Sequence, residues 1–259
     1  MKLNIVPAST GAQWVSLGIR TFFKQPLALS GLFFMFLAVV SVLSILPFLG
    51  SFLALVLLPA CTLGLMAATR EAVQGKFPMP MVMISAFRAG QKRMHAMLIL
   101  GGLYALGFLL VMGASALADG GHFAHLYLVG GTITREMVME PDFQAAMWIA
   151  LIFYLPLSML FWHAPALVHW HEMTPVKSLF FSGVACVRNF RAFLVFGLTW
   201  MAIFLMAGVV VTLLAALIGG ADVAGMVMFP AAMLMAAMFF TSIYFTYQAT
   251  FEAPDNGTN

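Results

Sequence analysis

Charge is what this sequence has least of. Only 8% of its 259 residues are Asp, Glu, Lys or Arg, whereas 63% are hydrophobic. Soluble domains carry charge on about a quarter of their residues. So few charged side chains cannot cover a compact body of this size in water, whereas lipid solvates apolar side chains directly. The composition therefore excludes a water-soluble globule and indicates an integral membrane protein.

Cysteine is nearly absent too. The two copies, Cys61 and Cys186, lie in an apolar run and beside a basic segment, which is not the pattern of a secreted disulfide framework. Residues 1–26 also lack the compact apolar stretch and small-residue cleavage site of a secretory signal peptide. We interpret both cysteines as small apolar side chains and expect no removable signal peptide.

The residues that usually carry chemistry are missing from the apolar runs. No Asp, Glu, Lys or Arg lies deep within them, although ion-coupled pumps and many transporters place ionisable groups there. The sequence also lacks a nucleotide-binding loop, a catalytic triad and paired carboxylates. We therefore expect no enzymatic activity and no cofactor. The net charge of +3 comes from scattered basic residues, so the expected counter-ions are anionic lipid headgroups and not nucleic acid.

Long uncharged runs are what the sequence does contain, and five of them can span a bilayer. The run 27–69 is about twice the hydrocarbon thickness as a helix, so it must form two spans, and Pro47 lies where a tight turn would divide it. We predict an all-α, polytopic membrane helical bundle, a single membrane domain over 1–259. The six predicted transmembrane helices are 27–46, 48–69, 94–118, 145–171, 192–218 and 223–250, and the one long loop is 119–144.

Basic residues are distributed unevenly between the two sides of this predicted bundle. Eleven of the 12 lie on the side that holds both termini, and only Arg135 lies on the other. Short cytoplasmic loops of inner-membrane proteins carry an excess of Lys and Arg. The pattern predicts a multi-pass protein of a bacterial inner membrane with a cytoplasmic N-terminus and C-terminus. The periplasmic loop 119–144 is expected to be a solvated linker, with a small folded cap as the alternative.

Three segments that precede the odd-numbered spans share one format. In 10–25, 80–93 and 175–191, apolar and polar residues interleave, and a basic cluster leads directly into the span. This spacing is typical of amphipathic helices that lie in the interface with their cations near lipid phosphates. We predict about three such interfacial helices, and leave open whether the three units are true repeats. The candidate headgroup-binding residues are Lys24, Lys92, Arg93, Arg188 and Arg191.

Histidines cluster near the end of the fourth predicted span. Imidazole is a common ligand of metals and haem, so His163, His169 and His171 form a candidate metal site. The alternative is an aromatic belt at the membrane surface, because Trp residues flank these histidines and Trp prefers the headgroup zone. The gap from His163 to His169, with Pro165 between, is not a recognised ligand spacing.

Several diffuse motifs together resemble a known group of proteins. They are Gln13-Trp14 through Lys24-Gln25-Pro26, the Pro47 turn, His163-Ala164-Pro165-Ala166-Leu167, and Pro175-Val176-Lys177-Ser178 through Arg188-Asn189. With these motifs the chain resembles uncharacterised six-span inner-membrane protein families of proteobacteria and, distantly, the membrane domains of some glycerophosphodiester phosphodiesterases. The resemblance implies a fold and a location, and it implies no catalytic residues.

These observations favour one function and leave two others open. The leading hypothesis is a non-catalytic accessory or scaffold protein of the inner membrane that interacts with lipids and has a membrane-protein partner. The first alternative is a permease or flippase for a small or lipidic substrate. The second is an intramembrane metal or haem binder that uses the three histidines.

Overall fold

A computed structural model describes residues 2–46, 49–218 and 220–251, with the backbone alone at 218, 221, 222 and 224. Every regular element within these residues is helical. Six of the described helices are long and apolar enough to cross a membrane, which confirms the predicted all-α membrane bundle. The predicted turn at Pro47 lies outside the described residues. The six candidate spans are Pro26–Ser44, Gly50–Val73, Gln91–Asp119, Pro141–His171, Phe190–Leu217 and Gly225–Phe251.

The described helices are numbered here in chain order. A 3₁₀ helix, Pro80–Ile84, precedes the fourth of them. The α-helices are α1 (Thr10–Lys24), α2 (Pro26–Ser44), α3 (Gly50–Val73), α4 (Ser85–Arg88), α5 (Gln91–Asp119), α6 (His122–Leu128), α7 (Arg135–Met139), α8 (Pro141–Trp162), α9 (Ala164–His171), α10 (Pro175–Arg188), α11 (Phe190–Ile218) and α12 (Ala221–Phe251).

The chain divides into two compact units. The terminal unit comprises the described parts of Met1–Met35, Thr62–Ser85 and Ala185–Asn259. The central unit comprises those of Phe36–Cys61 and Ala86–Val184. The single membrane domain predicted over 1–259 stays a prediction.

In the terminal unit, the amphipathic helix α1 packs on α11 and α12. Its buried face combines Trp14 with the glycines Gly11 and Gly18. A Cβ atom at Gly18 would lie 2.7 Å from the Cα atom of Ser242 on α12, which is too close for any larger residue. Phe23 remains 64% exposed. The helix is therefore amphipathic as predicted, but glycine sets how closely it approaches its neighbours.

The other two amphipathic segments also contact membrane helices through glycine. In the terminal unit, a Cβ at Gly64 of α3 would lie 2.8 Å from the Cα of Met83 in the 3₁₀ helix. In the central unit, a Cβ at Gly183 of α10 would lie 3.0 Å from the Cδ2 of Leu160 on α8. The second segment is a 3₁₀ turn followed by the short α4, so it is not the continuous helix that its spacing suggested.

The fourth candidate span, Pro141–His171, consists of two helices, α8 and α9, which meet at a break at His163. The backbone N–H of His163 donates to Ser182 Oγ at 3.0 Å, and that hydroxyl donates to the Met159 carbonyl at 2.8 Å. Ser182 of α10 therefore inserts between a donor and an acceptor that a continuous helix would join directly. Pro165 falls in the first turn of α9, where a missing N–H leaves no helical bond unmade.

The long loop 119–144 contains two short helices, so part of it has the form of a small folded cap, the alternative to a solvated linker. Its first helix, α6, packs on α5 and α8 in the central unit. The Asp119 carboxylate accepts from the N–H of Gly121 at 2.8 Å and of Phe123 at 2.6 Å. A carboxylate that accepts from the free N–H groups at a helix start stabilises that helix, as an N-cap does. The segment is a small cap on the ends of α5 and α8.

Candidate lipid-headgroup site

The five basic residues predicted to bind headgroups all lie where an amphipathic segment meets a span. Lys24 and Arg188 are the last residues of α1 and α10, and Arg191 is the second residue of α11. Lys92 and Arg93 are the second and third residues of α5. Arg93 is half-buried and the other four are exposed. These cations therefore mark the ends of three spans, the depth at which a bilayer presents its headgroups.

The short turn that joins each amphipathic segment to its span is termed a junction. Junction 1 is at Gln25, junction 2 at Ala89 and Gly90, and junction 3 at Asn189. A basic residue precedes each of them: Lys24, Arg88 and Arg188. The amphipathic segment at every junction thus ends in a cation, and the three differ in the residue that follows.

Junction 3, in the terminal unit, is bridged by the Asn189 side chain. Its Oδ1 accepts from the N–H of Val6 at 2.9 Å, and its Nδ2 donates to the Asn4 carbonyl at 3.1 Å and the Ala185 carbonyl at 3.2 Å. Asn189 is only 2% exposed. A buried amide with every group bonded is stabilising, because none of its polar atoms is left without a partner. This bridge holds the segment that leads into α1.

Junction 1, also in the terminal unit, has the same kind of bridge. Gln25 Nε2 donates to the backbone carbonyl of Lys76 at 3.0 Å. Lys76 lies in the loop that leads into the 3₁₀ helix Pro80–Ile84. At both junctions, an amide side chain therefore ties the start of a span to the loop that enters another amphipathic segment.

Junction 2, in the central unit, has Ala89 in place of the amide. The contact with the loop that enters α10 is made instead by an ion pair between Arg93 and Glu172. Both side chains reach solvent, Arg93 at 35% exposure and Glu172 at 66%. A cavity of about 340 Å³ opens here, and its lining includes Gly90, Gln91, Lys92, Arg93, Glu172 and Met173.

The three histidines of the candidate metal site lie around the break in the fourth span. His163 is fully buried at the break itself, and the other two lie on α9, where the ring of His169 contacts Trp170. Nowhere in residues 2–46, 49–218 and 220–251 do three His, Cys, Asp or Glu side chains form a group that could hold a metal ion. The structure therefore does not bring His163, His169 and His171 together as a ligand set.

A second cavity of the central unit is apolar. It has a volume of about 310 Å³ and lies among α5, α6 and α8. Sequence reasoning missed it because the loop 119–144 was expected to be solvated, whereas α6 forms one wall. The aromatic and methionine side chains that line it include Phe108, Phe123, Tyr127, Met147, Trp148 and Tyr154.

The chain was also compared with known proteins. A protein of Burkholderia thailandensis named "Probable inner membrane protein" is 38% identical over 260 residues, which cover 99% of this chain and 96% of that protein. No family model matches the chain. No solved structure matches it either.

Proposed function

This chain belongs to the family of inner membrane proteins that includes the Burkholderia thailandensis protein, and on that premise we propose that it is a non-catalytic accessory or scaffold protein that binds anionic lipids. It is a multi-pass integral protein of the inner membrane, in agreement with its six candidate spans. A membrane-protein partner is part of this proposal. The distant likeness to glycerophosphodiester phosphodiesterase membrane domains stays a prediction.

One observation carries the lipid proposal: cations lie at the junctions, directly beside apolar spans. Lys24, Lys92, Arg188 and Arg191 are exposed there and free to meet headgroups. Each Lys or Arg near an anionic leaflet contributes about 1 kcal/mol of attraction. Five such residues close to the membrane surface attract anionic lipid more strongly than the same number of charges in loops farther from it.

The orientation is part of the same proposal. We place both termini, and with them the three junctions, on the cytoplasmic side, since that side then holds 11 of the 12 basic residues. Reporter enzymes that are active only in the cytoplasm or only in the periplasm, fused after Asn259, give the orientation directly. Activity of the periplasmic reporter would reverse it.

The lipid proposal is tested with a variant in which Lys24, Lys92, Arg93, Arg188 and Arg191 become Gln. The measured quantity is the amount of anionic phospholipid that stays with the purified full chain per protein molecule. We expect most of it to be lost. A control variant changes to Gln five cations that take no part in a junction and so removes the same charge; they are Lys2, Arg20, Arg70, Arg135 and Lys177.

The control decides how that result is interpreted. Retention close to wild type in the control, with loss in the junction variant, supports binding at the junctions. Equal retention in the two variants contradicts it, because the position of the cations would then not matter.

A second candidate function, transport of a lipidic substrate, is favoured by the apolar cavity among α5, α6 and α8. Its aromatic lining suits a hydrophobic occupant, and Trp148 is 56% exposed at its edge. The measurement is flux of fluorescent phospholipids and small solutes in liposomes that contain the protein. Rates equal to those of protein-free liposomes would remove this candidate.

A further inference from the structure

Junction 2 has an open space where junctions 1 and 3 have an amide. Gln25 and Asn189 each follow the cation that ends an amphipathic segment, and both span the gap to a neighbouring loop. Ala89 follows the corresponding cation Arg88 and has no side chain that could do so. The cavity of about 340 Å³ lies at this position, at the lower end of the size range of small-molecule pockets.

The cavity is lined by positive charge. Lys92 is exposed and forms no ion pair with any described residue, whereas Arg93 is paired with Glu172. The sum over these three side chains is one net positive charge. Gly90 and Gln91, the N-cap and the first residue of α5, also line the cavity, and the first N–H groups of a helix have no partner within it. The cavity therefore offers donors and cations to an anion that lies at the end of a span.

We infer that this cavity binds the phosphate group of an anionic phospholipid, held by Lys92 and Arg93. The inference rests on the proposed lipid-binding function and gives it a discrete site. In the absence of lipid, the Glu172 carboxylate pairs with the guanidinium of Arg93. When a phosphate binds Arg93 in its place, the Glu172 side chain turns toward solvent. The 66% exposure of Glu172 gives that side chain room to turn.

The chemistry of the lining selects phosphate over other lipid groups. A guanidinium binds two phosphate oxygens at once, while an ammonium supplies a mobile point charge. Free N–H groups at the start of a helix add donors to the remaining oxygens. Because the cavity lies where α5 enters its apolar run, a lipid can place its phosphate there and keep its acyl chains beside the span.

Two variants of opposite expected effect test the site. The probe is phosphatidylglycerol, titrated into the delipidated full chain in detergent, and native mass spectrometry reports the one-lipid complex. Lys92→Gln is expected to weaken binding about fivefold, the loss of one cation near an anion. Glu172→Gln is expected to strengthen binding about threefold, because the competing carboxylate is gone. Misfolding cannot produce a gain of affinity, so the Glu172→Gln variant distinguishes an effect on the site from loss of the fold.

A matched control removes an exposed cation that lies at no junction. Arg20→Gln on α1 is expected to leave the one-lipid complex at its wild-type affinity. The inference is overturned if Arg20→Gln and Lys92→Gln weaken binding equally, or if Glu172→Gln has no effect. If the inference is overturned but the five-cation variant still loses anionic lipid, the proposed function stands without this site. If the five-cation variant retains its lipid, the inference and the proposed function both fail.

A further experiment distinguishes a phospholipid headgroup from a soluble phosphate compound as the ligand. Inorganic phosphate is added to the phosphatidylglycerol complex, and phosphatidylcholine serves as the zwitterionic lipid. Retention of phosphatidylglycerol in millimolar phosphate, with weaker binding of phosphatidylcholine, supports the lipid. Displacement by millimolar phosphate overturns the assignment to a lipid and identifies a soluble phosphate compound as the ligand.

Discussion

Junctions 2 and 3 both join an amphipathic segment that ends in a cation to a span, but different side chains connect them to the neighbouring loop. At junction 3, the buried amide of Asn189 bonds the backbone of a distant segment. At junction 2, an exposed ion pair between Arg93 and Glu172 spans the gap and a cavity remains. Loss of a buried, fully bonded amide costs much stability, whereas an exposed ion pair contributes little. The comparison teaches that the side chain at junction 3 stabilises the fold, whereas the ion pair at junction 2 contributes little to stability and leaves a cavity open.

The largest expected effect concerns the thiol next to junction 3. Cys186 is 1% exposed, and burial raises the pKa of its thiol to about 12. Because only the thiolate reacts, alkylation at pH 8 is expected to be roughly a thousandfold slower than for an ordinary thiol, whose pKa is about 8.5. The rate should rise about tenfold per pH unit up to pH 10, where an ordinary thiol has already levelled off.

Mass spectrometry of the alkylated chain measures this rate. A Cys61→Ser background leaves Cys186 as the only thiol, and unfolding in detergent gives the rate of the free group. Labelling of the folded chain as fast as the unfolded one would contradict the burial of this end of α10.

The next effect follows from removal of the bridge at junction 3. Asn189→Ala leaves the N–H of Val6 and the carbonyl of Asn4 without their partner. A loss of about 2–3 kcal/mol is expected, which lowers the thermal midpoint by about 5–10 °C. Gln91→Ala, an exposed residue beside junction 2, is the control and should change the midpoint little. Equal shifts in the two variants would remove the distinction between the junctions.

The contact of α1 with α12 gives a somewhat smaller effect. Gly18→Ala places a methyl group against the backbone of Ser242, so a loss of about 1–3 kcal/mol is expected in thermal unfolding. Gly31→Ala is the matched control, since its added carbon meets nothing within 4 Å. Gly183→Ala should lie between them, because its methyl group meets the flexible end of Leu160. A Gly18 variant as stable as the Gly31 variant would contradict the close packing of α1.

The smallest expected effect is at junction 2. Glu172→Gln breaks the ion pair with Arg93, and exposed pairs contribute about 0–1 kcal/mol. We therefore expect the thermal midpoint to move by less than about 2 °C, even as lipid affinity rises. A drop as large as that of Asn189→Ala would show that the ion pair has the structural role assigned here to the amide.

Much of this architecture could be predicted from local sequence. Uncharged runs long enough to span a bilayer need no knowledge of the fold, and neither do the basic clusters that precede them. The five candidate headgroup-binding residues lie at the junctions for that reason. The format of a cation followed by an amide was visible at Lys24-Gln25 and Arg188-Asn189, and it marks the bridges.

The partners of those residues could not be predicted, because they lie far away in the chain. Asn189 bonds Val6, 183 residues earlier, and Gln25 bonds Lys76, 51 residues later. The break at His163 depends on the hydroxyl of Ser182, which belongs to another helix. Composition and spacing describe single helices, whereas these features arise where segments that are distant in the chain meet.

The central claim is that junction 2 binds because it lacks the amide that junctions 1 and 3 possess. Ala89→Gln supplies that amide, and the most direct measurement is phosphatidylglycerol binding to this variant by native mass spectrometry, with its thermal midpoint recorded in parallel. The account predicts that phosphatidylglycerol binding falls to the level of phosphatidylcholine while the midpoint stays the same or rises. Unchanged phosphatidylglycerol binding by a folded Ala89→Gln chain would contradict it.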